Sequence, residues 1–253
     1  MFKRPLVALR KQGETMPGKK QRKKPEKMDL AQKAYHSIRQ MLFYNEIIPG
    51  QKIKYQDLAD KIGVSITPVI HALKWLEFKN IVSHEPNRGY FVNEVSLKEI
   101  TEIYDTRLLL EVSLVPDIIK HCDLESMKAL ERAFAAYQKA VNEENYYSRL
   151  MTDMKFHLTL ASISRCQIQV KMLHELFDIL LLKYTRNLIL LGIMDSSLNE
   201  HVHIFKCIEA RDTEGLRQGL FTHLDHVRGY IIDGFKKIFE NKRMAMVDLF
   251  SLQ

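Results

Sequence analysis

From residue 30 to 45 the apolar residues Leu30, Ala34, Ile38, Met41 and Leu42 recur at three- and four-residue steps, which predicts an amphipathic helix. Pro49-Gly50 ends it with a turn. A short helix over residues 55 to 62 follows, with Leu58, Ala59 and Ile62 on one side. Gly63-Val64-Ser65 then breaks the period. Thr67-Pro68 opens another helix to about Phe78, whose inward stripe is Val69, Ala72, Leu73 and Leu76. Glycine between two helices suits a residue forced to positive φ, and Pro68 sits near a first turn where its missing N–H costs nothing. This is helix-turn-helix grammar. Beyond it, residues 81–84 and 90–93 flank Glu85-Pro86-Asn87-Arg88-Gly89 and predict a β-hairpin with Arg88 and Gly89 at its tip.

From Ser96 onward the period is helical almost throughout, with candidate helices at 97–121, 124–143, 145–163, 167–191, 196–210 and 213–240. Asp123-Leu124-Glu125 and Asp212-Thr213-Glu214 carry N-cap chemistry and mark two of the breaks. The expected fold is mainly α. An N-terminal winged helix-turn-helix of three helices and a hairpin wing spans 29–95. An all-α bundle of six to seven helices spans 96–240, and a C-terminal tail spans 241–253.

Charge adds one feature to this picture. The chain of 253 residues has a net charge of +7, yet residues 1–28 alone hold ten Lys/Arg against two Glu. A segment containing Lys19-Lys20-Gln21-Arg22-Lys23-Lys24 cannot bury enough apolar surface to fold alone, so 1–28 reads as a disordered basic arm. It is either a phosphate-binding arm or a solvated tail. Three cysteines, Cys122, Cys166 and Cys207, lack pairing logic and fit a reducing, cytoplasmic compartment. Apolar runs such as residues 187–194 are too short to span a bilayer, so no membrane partner is expected.

The stretch from Pro49 to Leu76, with the first helix and the wing Arg88-Gly89-Tyr90-Phe91-Val92, closely resembles the GntR-type winged helix-turn-helix. The downstream half resembles the FCD effector domain of the FadR subfamily. The matching pieces are Tyr104-Asp105-Thr106-Arg107, continuing to Glu111; Asp153-Met154-Lys155-Phe156-His157; Glu200-His201; residues 208–212; and His223-Leu224. The resemblance implies a homodimeric repressor or activator that reads a pseudo-palindromic, double-stranded operator, and no enzyme. Geometry alone favours pairing too, because two recognition helices enter major grooves about one turn apart.

Where that family typically has Ser-Arg-Thr-Pro-Val-Arg-Glu, this chain has Ser65-Ile66-Thr67-Pro68-Val69-Ile70-His71. Both arginines that could read guanine are replaced by isoleucine, which offers only apolar contact, so the operator sequence does not carry over. Ser65, Thr67 and His71 remain as candidates for base edges. Lys74, Arg88 and Gly89 suit phosphate or groove contacts.

Asp153 and His157 are four apart and share a helix face. That pair alone is equally a surface ion pair. The resemblance adds His201 and His223 and so implies a metal set of one carboxylate and three imidazoles, suited to zinc, nickel, manganese or iron. On this reading a small organic acid binds at the metal, with Arg107 as its counter-charge. Arg107 could instead pair internally with Glu111. His174, His203 and His226 read as surface or core-edge residues. Two other classes stay open: a winged dimer that has lost specific DNA reading, and a metal-dependent hydrolase or lyase with Glu200 as its one candidate base.

Overall fold

The computed structural model describes residues 30–191 and 197–251, without the side chains of residue 190 and residues 241–251. The basic arm lies outside the described residues. In the N-terminal part, α1 (Leu30–Phe43) buries Ala34, Ile38 and Leu42 against α3 (Ile66–Phe78), which answers with Val69, Ala72, Leu73 and Leu76. Between them α2 (Tyr55–Ile62) ends at Gly63, whose φ of 71° and ψ of 47° are left-handed. Its N–H bonds back to Ala59 and turns the chain into α3.

The predicted hairpin forms as β2 (Val82–Glu85) and β3 (Gly89–Val92), with Val82 opposite Val92 and Glu85 opposite Gly89. A strand that the sequence pattern does not announce, β1 (Lys52–Ile53), pairs antiparallel with β3, so the sheet runs β1-β3-β2. Two residues are too few to show an alternation.

The C-terminal part is helical: α4 (Leu97–Ser113), α5 (Val115–His121), α6 (Leu124–Asn142), α7 (Tyr146–Ile163) and α8 (Gln167–Ile179) are followed by α9 (Thr185–Leu191), α10 (Ser197–Glu209) and α11 (Thr213–Ser251). Three differences from the sequence expectation stand out. The span 97–121 breaks at Leu114, where Pro116 has no N–H for the preceding helix. The span 167–191 contains a π-helical turn at Leu180–Tyr184. The last helix continues to Ser251, eleven residues past its expected end at 240. The capping signals hold: Asp123 and Ser126 form a reciprocal capping box, and Asp212 Oδ1 accepts the Gly215 N–H at 2.9 Å. Phe156, Phe177, Tyr184 and Phe235 are among the buried aromatic residues of the core these helices share.

The π-helical turn explains how the two parts meet. Its wider winding keeps Leu180 and Tyr184 in the helical core while Leu182, 4% exposed, enters the apolar core of the winged part. One turn earlier Asp178 is buried beside α1. It accepts two hydrogen bonds from Arg39, at 2.6 and 3.0 Å, and one from Lys79 at 3.1 Å. Lys79 also pairs with Glu175. Glu99 on α4 takes Lys183 at 2.6 Å, the Tyr184 hydroxyl, and Asn80 of the winged part at 3.1 Å. A further contact lies at the C-terminal end of α1: Asn45 Nδ2 donates to the Tyr147 hydroxyl at 3.0 Å, and Phe43 packs edge-on against the Tyr147 ring.

Candidate metal centre

Asp153 and His157 lie one turn apart on α7, His201 comes from α10 and His223 from α11. One ligand atom from each lies within 4.8 Å of the others. The three histidines are buried, Asp153 nearly so. Each imidazole is held from behind through Nδ1: His157 by Glu111 Oε2 at 2.6 Å, His201 by the Ser197 carbonyl at 2.7 Å, and His223 by Glu200 Oε2 at 2.8 Å. Carboxylates and carbonyls only accept, so each Nδ1 carries a proton, and in the neutral ring Nε2 then presents a lone pair.

Those lone pairs converge. His157 Nε2 stands 3.3 Å from His223 Nε2, and His201 Nε2 lies 3.1 Å from Asp153 Oδ1. Buried His201 Nε2 makes no aligned hydrogen bond within the protein. Facing lone pairs repel unless a cation or proton sits between them. Burial pushes His223 down to about 4 and lowers His157 as well, so neither supplies that proton near neutrality. Burial works against the charge on Asp153, yet its contact with His201 and the positive charge of Arg107 hold its carboxyl well below the usual range. Three imidazoles and one carboxylate, each histidine oriented by an outer oxygen, are the donor set a borderline divalent cation needs.

Arg107 makes the internal pair with Glu111 that its sequence context offered. Its Nε donates to Glu111 Oε1 at 2.7 Å, and its guanidinium lies 4.7 Å from the centre of the Phe177 ring. Buried Nη2 has no hydrogen-bond partner and lies 4.0 Å from Asp153 Oδ2. Glu111 is doubly used: despite burial, His157 and Arg107 hold its carboxyl down at about 2, so it stays an acceptor for both. A cavity of about 100 Å³ opens beside Asp153 and Arg107.

Sequence reasoning missed the outer oxygens of Glu111 and Ser197 toward these histidines, since neither is near its imidazole in a recognisable motif. Glu200, considered as a catalytic base, is bonded by His223 and by His226 Nδ1 at 2.8 Å. Its role is to orient. His226, His174 and His203 are exposed.

On the winged part, Ser65, Thr67, His71 and Lys74 are exposed along the start and outer face of α3. Ser65 makes no capping hydrogen bond. Arg88 is exposed at the hairpin, paired with Glu85 and lying 5.1 Å over the Phe91 ring. Gly89 differs from these: it is buried at φ 94°, where a Cβ would stand 3.2 Å from the Tyr55 hydroxyl. Its contribution is the bend of the hairpin, with no side chain to present.

The family profile described as FCD domain matches residues 102–226, and that described as bacterial regulatory proteins, gntR family, matches residues 30–92. An uncharacterised helix-turn-helix transcriptional regulator of Bacillus subtilis, YdhC, is 27% identical over 199 residues, covering 76% of this chain and 86% of the relative. The Escherichia coli transcriptional regulator McbR is 24% identical, covering 76% and 88%. Among solved structures, E. coli McbR/YncC superposes with a TM-score of 0.70 at 21% identity over 82% of this chain and 99% of that one. A GntR regulator of Rhodococcus sp. RHA1 gives 0.68 at 21% identity, over 80% and 97%. These superpositions establish the fold.

Proposed function

Because this chain belongs to the GntR family of bacterial transcriptional regulators and carries an FCD domain, we propose that its helical part is a metal-dependent sensor of a small organic acid. One observation carries the reading: three imidazole Nε2 atoms and Asp153 converge beside a cavity into whose wall Arg107 brings a buried N–H without a partner. Asp153, His157, His201 and His223 hold the metal, which supplies a Lewis-acidic position for the acid's carboxylate. Arg107 Nη2 donates to that carboxylate while Nε stays on Glu111.

Occupancy reaches the winged part through neighbours in sequence. Phe177 packs on Arg107 and Asp178 grips Arg39; Tyr146 lines the cavity and Tyr147 bonds Asn45. In each pair one residue meets the sensor site and the next meets α1 or the residues just after it. A shift at the cavity therefore biases the seating of the helix that supports α3. Coupling of about 1 to 3 kcal/mol suffices for a switch. The regulator acts in the cytoplasm as a homodimer on double-stranded operator DNA, with Ser65, Thr67 and His71 toward base edges, Lys74 and Arg88 toward the backbone, and Gly89 shaping the wing. Among the described residues no helix is long and apolar enough to cross a membrane.

Elemental analysis of the purified full chain and of His201→Ala, beside selection of bound sequences from random DNA, tests this reading. The expected result is about one metal per wild-type chain, its loss in the variant, and an enriched pseudo-palindrome. A metal-free wild type, or an unenriched pool, contradicts it.

A further inference from the structure

We propose that the effector is a short monocarboxylate with an apolar tail, in preference to a polyacid or a sugar acid. This rests on the acid-sensing reading above and concerns the half of the cavity away from the metal cluster. The charged residues among those that line the cavity are Arg107, Arg149 and Asp153. Arg107 and Asp153 adjoin the metal cluster. Arg149 is one turn before Asp153 on α7 and its guanidinium lies 5.8 Å from the centre of the Tyr137 ring, which itself packs 4.4 Å from the His201 ring.

Among the described residues the rest of the wall is mainly aliphatic, completed by the rings of Tyr104, Tyr137, Tyr146 and Tyr230 and by Ser197. Leu150 and Met154 on α7, Leu188 and Ile189 on α9, and Val227 and Ile231 on α11 line it. Two of the polar groups that could recognise a polyol are engaged within the protein: the Tyr137 hydroxyl pairs with Ser197 Oγ at 2.8 Å, and the Tyr230 hydroxyl donates to the Leu191 carbonyl. Against the aliphatic side chains a second carboxylate or a run of hydroxyls would lose water without gaining a partner. An alkyl tail loses nothing.

Size narrows the class further. An apolar cavity of about 150 Å³ accepts benzene, so one of about 100 Å³ with an open mouth suits an acid of roughly four to six non-hydrogen atoms. Acetate, propionate, butyrate and isobutyrate fall in that range, and acetate has the least hydrocarbon to bury.

The test is calorimetric titration of the zinc-loaded full chain, its metal content checked by elemental analysis, with acetate, propionate, butyrate, isobutyrate and succinate. Affinity should rise about fourfold per added methylene from acetate to butyrate, with succinate at least about tenfold weaker than butyrate. Val227→Thr, which keeps the side-chain volume and adds a hydroxyl, should weaken butyrate more than acetate. Equal affinities across the series, tighter binding of succinate, or equal weakening of acetate and butyrate in Val227→Thr overturns the apolar-tail assignment while the acid-sensing reading stands. If no acid binds the metal-loaded protein, both fall.

Discussion

Replacing Asp178 by asparagine keeps the size of the side chain and removes the charge that holds α1 against the helical part. The carboxylate is 3% exposed and serves Arg39 through both oxygens and Lys79 through one, while those cations remain about a quarter exposed. Breaking a fully buried pair costs about 3 to 5 kcal/mol, and an exposed pair is worth about 0.2 to 1. With one partner buried and two partly wet, the loss should be about 1 to 3 kcal/mol. At roughly 2 to 4 °C per kcal/mol for a chain this size, thermal unfolding should shift measurably downward. The informative readout is a pair of others. Metal content and butyrate affinity should match wild type, because Asp178 touches neither site, whereas the effect of butyrate on the affinity for selected DNA should shrink. A double-mutant cycle with Arg39→Gln should give a coupling energy of about 1 kcal/mol or more. Unchanged stability together with an undiminished butyrate effect would refute the assignment of this contact as the link between the two parts.

Gly63→Ala should cost about 1 kcal/mol in denaturant unfolding, a purely backbone penalty because a Cβ there meets nothing within 4 Å. Gly89→Ala should cost more, since φ is again positive and its Cβ stands against the Tyr55 hydroxyl. In metal-free protein His157 and His223 are neutral in the fold but protonate freely when unfolded, near 6.5. The unfolded chain then binds more protons below that value, so stability should fall as pH drops from about 6.5 toward the folded value of about 4 for His223, by at most about 1.4 kcal/mol per pH unit for each group. A flat stability profile across that window would show the histidines to be solvated. Lys74→Ala should weaken DNA binding uniformly and reduce its salt dependence, whereas His71→Ala should change the selected sequence. Identical motifs from both variants would remove His71 as a base-reading residue.

The winged part was legible in the sequence because its signals are local: a glycine between two helical periods, a proline at a first turn, and a hairpin bounded by Asn87 and Gly89. β1 was not, because its two residues acquire strand geometry only by pairing with β3. In the helical part the Asp123 and Asp212 caps were readable, and Pro116 was an available but unused sign of the break after α4. Nothing in residues 180–184 announces a π-helical turn, since what selects it is tertiary: Leu182 finds the winged core, and Lys183 and Tyr184 find Glu99. Of the candidate metal set, the Asp153–His157 spacing is visible on one helix. His201 and His223 come from other helices and were reachable only through resemblance. The groups that orient the imidazoles, Glu111 46 residues before His157 and Glu200 23 before His223, are brought together by packing and carry no spacing of their own.

Whether acid occupancy of the helical part changes DNA affinity is read directly by a titration of selected operator DNA with zinc-loaded protein at fixed salt, with and without saturating butyrate. The expected result is at least about a fivefold change in Kd, the fold-change that 1 kcal/mol of coupling provides, and its disappearance in Arg107→Gln. An unchanged Kd under conditions where calorimetry records butyrate bound would contradict it.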